Sequence, residues 1–297
     1  MNPFVHYDAC PVCGSASINP LLTVKDHSVS GENFVIWQCD ACKLRFTQDA
    51  PNETEIARYY KSENYISHTN TGNSLVNQVY LAVRKFTLKQ KAATLKKYTT
   101  LSSGSLLDVG AGTGAFLKHM QEEGWEVAGT EPDADARNRA KQLSLDLHPA
   151  EALQSLPPGT FDAITLWHVL EHVHPLQAYM GILKSLLKPS GTLFIAVPNY
   201  QAYDAQVYKS AWAAYDVPRH LYHFSPQSMQ VLMQRHRLKI VAQVPMWFDA
   251  FYISLLSSKY KNGKTAWMGA LSSGLFSNMN ALLHKEKCSS ILYVISA

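Results

Sequence analysis

Leu106-Leu107-Asp108-Val109-Gly110-Ala111-Gly112-Thr113-Gly114-Ala115-Phe116 decides how the rest of this chain is read. An apolar run ends in an acid, glycine then recurs at every second position, and an apolar-periodic stretch follows. That is the pattern of a buried strand entering a tight turn and then a helix. Glycines in such a turn let backbone amides approach a ligand that a Cβ would hold away. The expected occupant is a nucleotide-like cofactor. Gly110-x-Gly112-x-x-Ala115 satisfies the dinucleotide fingerprint, so NAD and an adenosyl ligand are both open at this point.

Working outward, strand and helix patterns alternate from Gly104 onward. Strands are expected at 105–109, 126–130, 145–148, 161–167, 192–197 and 238–245, with a last one at 289–296. Helices are expected at 114–123, 133–143, 175–187 and 226–236. This alternation predicts an α/β fold with a mostly parallel sheet and helices on both faces. Residues 246–287 interrupt it with apolar pieces around a Lys/Gly turn. They read as a helical insertion, with packing or a homodimer face ahead of a lid or a membrane-surface contact.

The chain has 297 residues, 46% of them hydrophobic and 17% charged, an ordinary balance for a globular protein. That length accommodates one large domain and a small module. No apolar run is long enough for a spanning helix. Met1-Asn2-Pro3-Phe4-Val5-His6 lacks the features of a secretory signal, so a cytoplasmic location is the expectation. The net charge of +4 permits an anionic substrate without requiring nucleic acid.

Four of the five cysteines form two pairs, Cys10-Pro11-Val12-Cys13 and Cys39-Asp40-Ala41-Cys42. In a reducing compartment two C-x-x-C turns point to one tetrahedral Zn²⁺ rather than to disulfides. Four thiolates leave no open position, so this zinc would hold structure and do no chemistry. Leu21–Val24 and Phe34–Trp37 are the expected strands of a hairpin between the pairs. Residues 1–50 thus read as a zinc-binding module. Residues 51–100 read as a helical linker or cap. It holds a short helix from Thr54, the aromatic stretch around Tyr65 and a long helix to about Tyr98. Arg84, Lys85, Lys89, Lys91, Lys96 and Lys97 make that helix basic, which is read as a solvated face. Residues 101–297 form the cofactor-binding domain.

Two further segments narrow the cofactor. Glu131 stands just after the strand Glu126–Thr130, where a carboxylate takes ribose hydroxyls. Phe161-Asp162-Ala163-Ile164-Thr165-Leu166-Trp167-His168-Val169-Leu170-Glu171-His172-Val173 follows. The Asp-Val-Gly-Ala-Gly-Thr-Gly loop, the Glu131-Pro132 turn and this Phe-Asp…His-Val-Leu-Glu-His-Val segment together resemble class I S-adenosylmethionine (SAM) dependent methyltransferases over about residues 104–245 and the final strand. The resemblance implies a Rossmann-like seven-stranded sheet of order 3-2-1-4-5-7-6 with the last strand antiparallel. It also implies a set of cofactor contacts. Asp108 with Gly110, Ala111, Gly112 and Gly114 would line the methionine and ribose part. Glu131, with Pro132 beside it, would take the ribose hydroxyls. Ala150 and Glu151 would lie at the adenine, and Trp167 and His168 at the sulfonium.

His168-Val169-Leu170-Glu171-His172 also spells H-x-x-E-H, a zinc-hydrolase pattern. His168 at a strand end and Pro175 shortly after His172 argue against one continuous helix there. On the acceptor side, Pro218-Arg219-His220-Leu221-Tyr222-His223-Phe224-Ser225 is similar to a branch containing zinc-bearing sugar C-methyltransferases. The resemblance places His172 and His220 at the acceptor, His220 as the base, with His223 a further candidate. Arg219 and Val217 depart from that branch, as does the absence of its large C-terminal domain. Arg219 would instead favour an anionic acceptor group, with Tyr65 as a second substrate contact. The expectation is therefore methyl transfer from SAM to a small-molecule or sugar-linked acceptor. An RNA methyltransferase, a non-catalytic SAM-binding or scaffolding module, and an NAD dehydrogenase are the alternatives.

Overall fold

A computed structural model of the protein describes residues 3–60 and 75–296, the side chains of 75–82 aside. The N-terminal elements are β1 (Phe4–Val5), β2 (Ile18–Lys25), β3 (Asn33–Cys39), β4 (Arg45–Gln48), β5 (Ala50–Pro51) and α1 (Leu75–Thr99). An alternating series follows: β6 (Ser105–Val109), α2 (Ala115–Glu122), β7 (Glu126–Thr130), α3 (Ala134–Lys141), β8 (Phe161–Trp167), α4 (Leu176–Leu186) and β9 (Leu187–Pro198). The C-terminal third holds α5 (Tyr203–Tyr208), β10 (Tyr222–His223), α6 (Pro226–Arg235), β11 (Lys239–Pro245), α7 (Asp249–Asn262), α8 (Trp267–Leu283) and β12 (Ser290–Ser296).

The main sheet has six strands in the order β11-β12-β9-β8-β6-β7. The expected order holds for every strand present, but the sheet is one strand short of seven. Residues 145–148 make only a single parallel bridge, Thr130↔His148. Leu145 and Leu147 are buried as strand residues would be. Pro149 follows at once, has no N–H to donate, and leads into a 3-10 turn at Ala150–Ser155. β6 pairs in parallel with β7 and with β8, which sets Asp108 between Gly129 and Thr165. β12 starts where β9 and β11 end. The Asn199 N–H donates to Ser289 O at 2.8 Å, and the Met246 N–H to Ser290 O at 3.1 Å. The last strand therefore runs against both neighbours.

The chain divides into two compact units that interleave in sequence. One comprises Met1–Tyr65, His168–Tyr179 and Ala196–Tyr293; the other comprises Ile66–Trp167, Met180–Ile195 and Val294–Ala297. The second unit carries the glycine loop. Leu106, Leu107, Phe116, Leu117, Ala163, Ile164 and Leu166 fill its core. Strands buried on both faces read as unbroken apolar runs, which is why β6 and β8 stand out in the sequence.

In the first unit a four-stranded sheet of order β10-β4-β3-β2 carries the cysteine hairpin. β2 pairs antiparallel with β3 from Ile18↔Cys39 to Lys25↔Asn33, with a register shift between Pro20 and Leu22. Phe34 and Ile36 from this hairpin pack with Tyr59, Tyr200, Trp212 and Tyr215. Tyr200, Trp212 and Tyr215 are thus core. Residues 246–287 hold the helical pair α7 and α8. Buried Asp204 on α5 ties it down, accepting from Ser277 Oγ at 2.7 Å, Ser289 Oγ at 2.6 Å and Trp212 Nε1 at 2.7 Å. Among the described residues no helix is long and apolar enough to cross a membrane.

Candidate active site

The glycine loop is shaped by its own backbone. Gly110, Gly112 and Gly114 all have positive φ, at 70°, 56° and 77°. A side chain on Gly114 would also collide with Leu145, its Cβ lying 2.7 Å from Leu145 Cδ1. A Cβ on Gly112 would point into open space, with nothing within 4 Å. Gly114 is therefore glycine for packing, and Gly112 marks the free side of the loop.

Glu131 clasps that free side. Its Oε2 accepts the Gly112 N–H at 2.8 Å and its Oε1 accepts the Asp133 N–H at 2.9 Å. Burial raises the Glu131 pKa, and the two amides offset only part of that rise. Asp108, fully inside the sheet, accepts from Thr165 Oγ1 at 2.6 Å, yet burial lifts its pKa to about 7. Trp167 ends β8 edge-on to Phe116, with the Lys91 ammonium 4.1 Å from its ring centre. Its buried Nε1–H has no hydrogen-bond partner among the described residues. Pro132 is exposed, and its carbonyl accepts from Arg137 Nη1. Ala150 and Glu151 open the 3-10 turn after His148, whose carbonyl accepts the Glu131 N–H at 2.9 Å. Open space at Gly112, a buried acid that a cation would stabilise and an orphaned indole N–H together fit an adenosyl amino acid. Glu131, Asp108 and the loop amides would hold it.

The first unit holds a histidine cluster. His168 follows β8 in a left-handed conformation, φ 58°, uncommon for a residue with a side chain. Its Nε2 lies 3.0 Å from Asp249 Oδ2 and its Nδ1 3.4 Å from Glu171 Oε1. Burial pulls the His168 pKa down, but the Asp249 and Glu171 carboxylates outweigh it and raise the pKa to about 10. Leu170–His172 is a single 3-10 turn, so His168 and His172 do not share the helical face that H-x-x-E-H requires of a zinc hydrolase.

His172 stands edge-on to His220, ring centroids 4.5 Å apart. His172 Nδ1 lies 3.1 Å from Arg219 O and 3.0 Å from Tyr60 Oη, and His220 Nδ1 lies 2.8 Å from Ala214 O. A carbonyl only accepts, so in each neutral ring Nδ1 carries the proton and Nε2 keeps its lone pair. Burial and the neighbouring His220 lower the His172 pKa to about 4. Glu171 is wholly buried, and neither carboxylate oxygen has a hydrogen bond among the described residues. Its oxygen and one ring nitrogen from each of His172 and His220 lie within 4.8 Å of one another. The arrangement sets a buried carboxylate between His168 and the His172–His220 pair, a grouping that favours proton uptake at an imidazole. Sequence reading considers Glu171 only within the H-x-x-E-H pattern and gives it no role at the acceptor.

Two expectations are corrected here. The Arg219 side chain has no solvent exposure. Its Nη2 donates to Asp26 and Asp216 and its Nη1 to Tyr59 O, so it braces the loop and does not meet an acceptor. His223 is buried with Nε2 3.2 Å from Thr47 Oγ1 and its ring edge-on to Tyr215, and burial drives its pKa well below the usual value. It is a packed, neutral structural residue. Tyr65 lies outside the described residues.

The two cysteine pairs form matching knuckles. Gly14 N–H donates to Cys10 O and Lys43 N–H to Cys39 O, while Cys10 N–H donates to Ser15 O and Cys39 N–H to Leu44 O. Gly14 and Lys43, each next after a second cysteine, both have positive φ. The Cys10–Cys42 and Cys13–Cys39 sulfur pairs are 3.5 Å apart, and all four sulfurs lie within 4.8 Å of one another. Tetrahedral Zn–S bonds would set sulfurs about 3.8 Å apart, so the donor set fits Zn²⁺.

Sheet order and the glycine loop define a Rossmann-like α/β domain. The sequence profile of the family described as a methyltransferase domain matches residues 82–243, and the chain belongs to that family. Ubiquinone biosynthesis O-methyltransferase of Xanthomonas campestris pv. campestris (strain B100) is 31% identical over 134 residues, 42% of this chain and 56% of that protein. The enzyme of the same name from Rhodopseudomonas palustris (strain BisB5) is 29% identical over 110 residues, 35% of this chain and 44% of that protein. The chain thus spans about half the length of these curated relatives. Among solved structures, geranyl diphosphate C-methyltransferase from Streptomyces coelicolor A3(2), in complex with Mg²⁺, geranyl diphosphate and S-adenosylhomocysteine, matches with TM-score 0.51 and 15% identity over 82% of this chain and 97% of that one. The 1,6-didemethyltoxoflavin-N1-methyltransferase of Burkholderia thailandensis, with bound S-adenosylhomocysteine, matches with TM-score 0.50 and 15% identity over 92% and 98%. At such identities the likeness concerns the fold.

Proposed function

We propose that the protein transfers a methyl group from S-adenosylmethionine to a small-molecule or sugar-linked acceptor. The observation that carries this reading is the Glu131 clasp on Gly112, beside the open space that a Gly112 Cβ would enter. SAM would supply an electrophilic methyl on sulfur for in-line displacement. Asp108 would supply negative charge toward the cofactor's cationic part, and the loop amides would fix its orientation. The orphaned Trp167 indole N–H would find an acceptor there.

His220 is the proposed base, with Nε2 as the accepting atom. His172 and Glu171 act on it: the neutral His172 ring packs against it, and the Glu171 anion favours the proton it takes up. The names of the curated relatives favour an acceptor oxygen, and a hydroxyl proton suits an imidazole base. The four cysteines would bind one structural zinc, holding the hairpin whose other end braces the loop before His220.

Calorimetric titration with S-adenosylhomocysteine tests the core of this reading. Binding that is lost in Gly112→Val is the expected result. No binding by the wild-type protein would refute it, and binding of NADH instead would move the protein to hydride chemistry.

A further inference from the structure

We propose that the exposed face of α8 rests on an anionic lipid surface. The helix is amphipathic in reverse. Its inner face is made of small residues, Ala270, Ser273, Gly274, Ser277 and Ala281, all buried. Gly274 lets α7 come close, since a Cβ there would sit 2.8 Å from Phe251 Cδ1. The large apolar residues face outward. Met268, Leu271, Leu275, Met279, Leu282 and Leu283 recur at three- and four-residue spacing and are 46–88% exposed. Trp267 opens the same helix at 64% exposure, and the seventeen residues of α8 include no charge. Isolated exposed apolar residues are normal, but a continuous stripe of this kind marks a contact surface.

Charge chooses the partner. Between residues 250 and 285 the acidic residues are absent and lysine stands at 259, 261, 264 and 285. Lys261 and Lys264 flank the start of α8; His284, Lys285 and Lys287 flank its end. Glu286, at that end, is paired with His284 at 3.6 Å. An apolar stripe with an aromatic residue at one end and lysines at both is the composition of a helix that lies in a membrane interface. A second copy is the less suitable occupant. A two-fold pair would lay this face on itself, and in either direction lysine-bearing ends would meet lysine-bearing ends, with Glu286 the one acid beside Lys261, Lys264, Lys285 and Lys287. At seventeen residues α8 lies on a bilayer and does not cross it.

The test is flotation of the full-length protein with phosphatidylcholine vesicles, with and without phosphatidylglycerol, at low and high salt. Co-flotation only with the anionic vesicles, weakened by salt, is expected. Lys285→Glu with Lys287→Glu should lower partitioning about tenfold or more, since each lysine near such a surface contributes on the order of 1 kcal/mol. Leu275→Asn with Met279→Asn should abolish it while the unfolding temperature stays unchanged, because both side chains are exposed. Wild-type protein that ignores anionic vesicles would overturn the proposal. So would a lipid-free dimer that Leu275→Asn with Met279→Asn splits, which would assign the face to a second copy.

Discussion

Arg219 Nη2 donates to Asp26 Oδ1 at 2.9 Å, and both side chains are cut off from solvent. The pair joins the cysteine hairpin to the loop that carries His220. Asp26 also accepts the backbone N–H groups of Ser28, Val29 and Ser30. Burial raises its pKa, but Arg219 and these amides outweigh that and hold it below the usual range. Removing one member of a buried, hydrogen-bonded pair leaves the other charge uncompensated, at a cost of about 3–5 kcal/mol. Arg219→Met should therefore lower the unfolding temperature sharply, and adding Asp26→Asn and Asp216→Asn should recover part of the loss. If Arg219→Met left stability intact and raised only the acceptor KM, Arg219 would be a substrate contact after all.

The same pair shows what was legible in the sequence and what was not. β6 and β8 are short apolar runs buried on both faces, so their composition alone marks them, and the residues facing the cofactor loop follow by local spacing. The cysteine knuckles are legible for the same reason, because C-x-x-C is a local geometric unit. Arg219 was misread because its partner Asp26 is 193 positions away, and an isolated arginine looks the same whether it is buried or free. The missing third strand has a different cause. Leu145 and Leu147 alternate correctly, but Pro149 stops the ladder after one bridge. The histidines of the cluster were identifiable by type. Their separation into a packed His223 and a facing His172–His220 pair depended on which groups each ring meets.

Glu131 and Asp108 are expected to separate in a binding experiment. Glu131→Gln should weaken S-adenosylhomocysteine binding by at least about tenfold, the scale of one lost charge-assisted hydrogen bond. The thermal unfolding temperature of the free protein should fall as well, because a glutamine can accept only one of the two backbone N–H groups that Glu131 holds. Asp108, with its pKa lifted by burial to about 7, is partly protonated at neutral pH. A bound cation would favour its charged form, so binding should release a fraction of a proton near pH 7. Calorimetry in buffers of different ionisation enthalpy would detect this, and Asp108→Asn should abolish it. Equal heats in all buffers would place the cation elsewhere.

Replacing the proposed base tests the chemistry apart from binding. His220→Ala should lower kcat by about 10²–10⁴-fold, the usual contribution of a positioned base, with donor affinity preserved. Glu171→Gln should act through His220, lowering kcat and moving the pH profile, because an imidazole without its neighbouring anion holds a proton less well. The readout that matters is the direction of the move: the rate rises as the base loses its proton, so removing the anion should carry that acidic limb to lower pH. A kcat loss with no movement of that limb would make Glu171 a packing residue.

Metal content should resolve to one zinc per chain, because the described residues gather a single set of four thiols. Cys10→Ser or Cys39→Ser should release the ion and destabilise the hairpin, and through Asp26 the loop before His220 should lose order. His168→Ala should leave the zinc in place. Zinc retained in both cysteine variants but lost on replacing His172 would return the H-x-x-E-H segment to metal chemistry. Atomic absorption on the purified variants decides between these outcomes.

His168 gives a pH dependence that can be tested on the free protein. Its pKa rises from 6.5 unfolded to about 10 folded, because the Asp249 and Glu171 carboxylates outweigh the effect of burial. A raised imidazole pKa means that the folded state binds the extra proton. Its stabilisation is complete below the unfolded value, declines as pH rises above it and is lost by the folded value. Between pH 6.5 and about 10 the wild-type protein should therefore lose stability faster than His168→Gln, which has no proton to release there. Denaturant midpoints measured across that window should converge at the alkaline end. Parallel curves would show that His168 is neutral in the folded protein, and the Asp249 contact would then be an ordinary hydrogen bond.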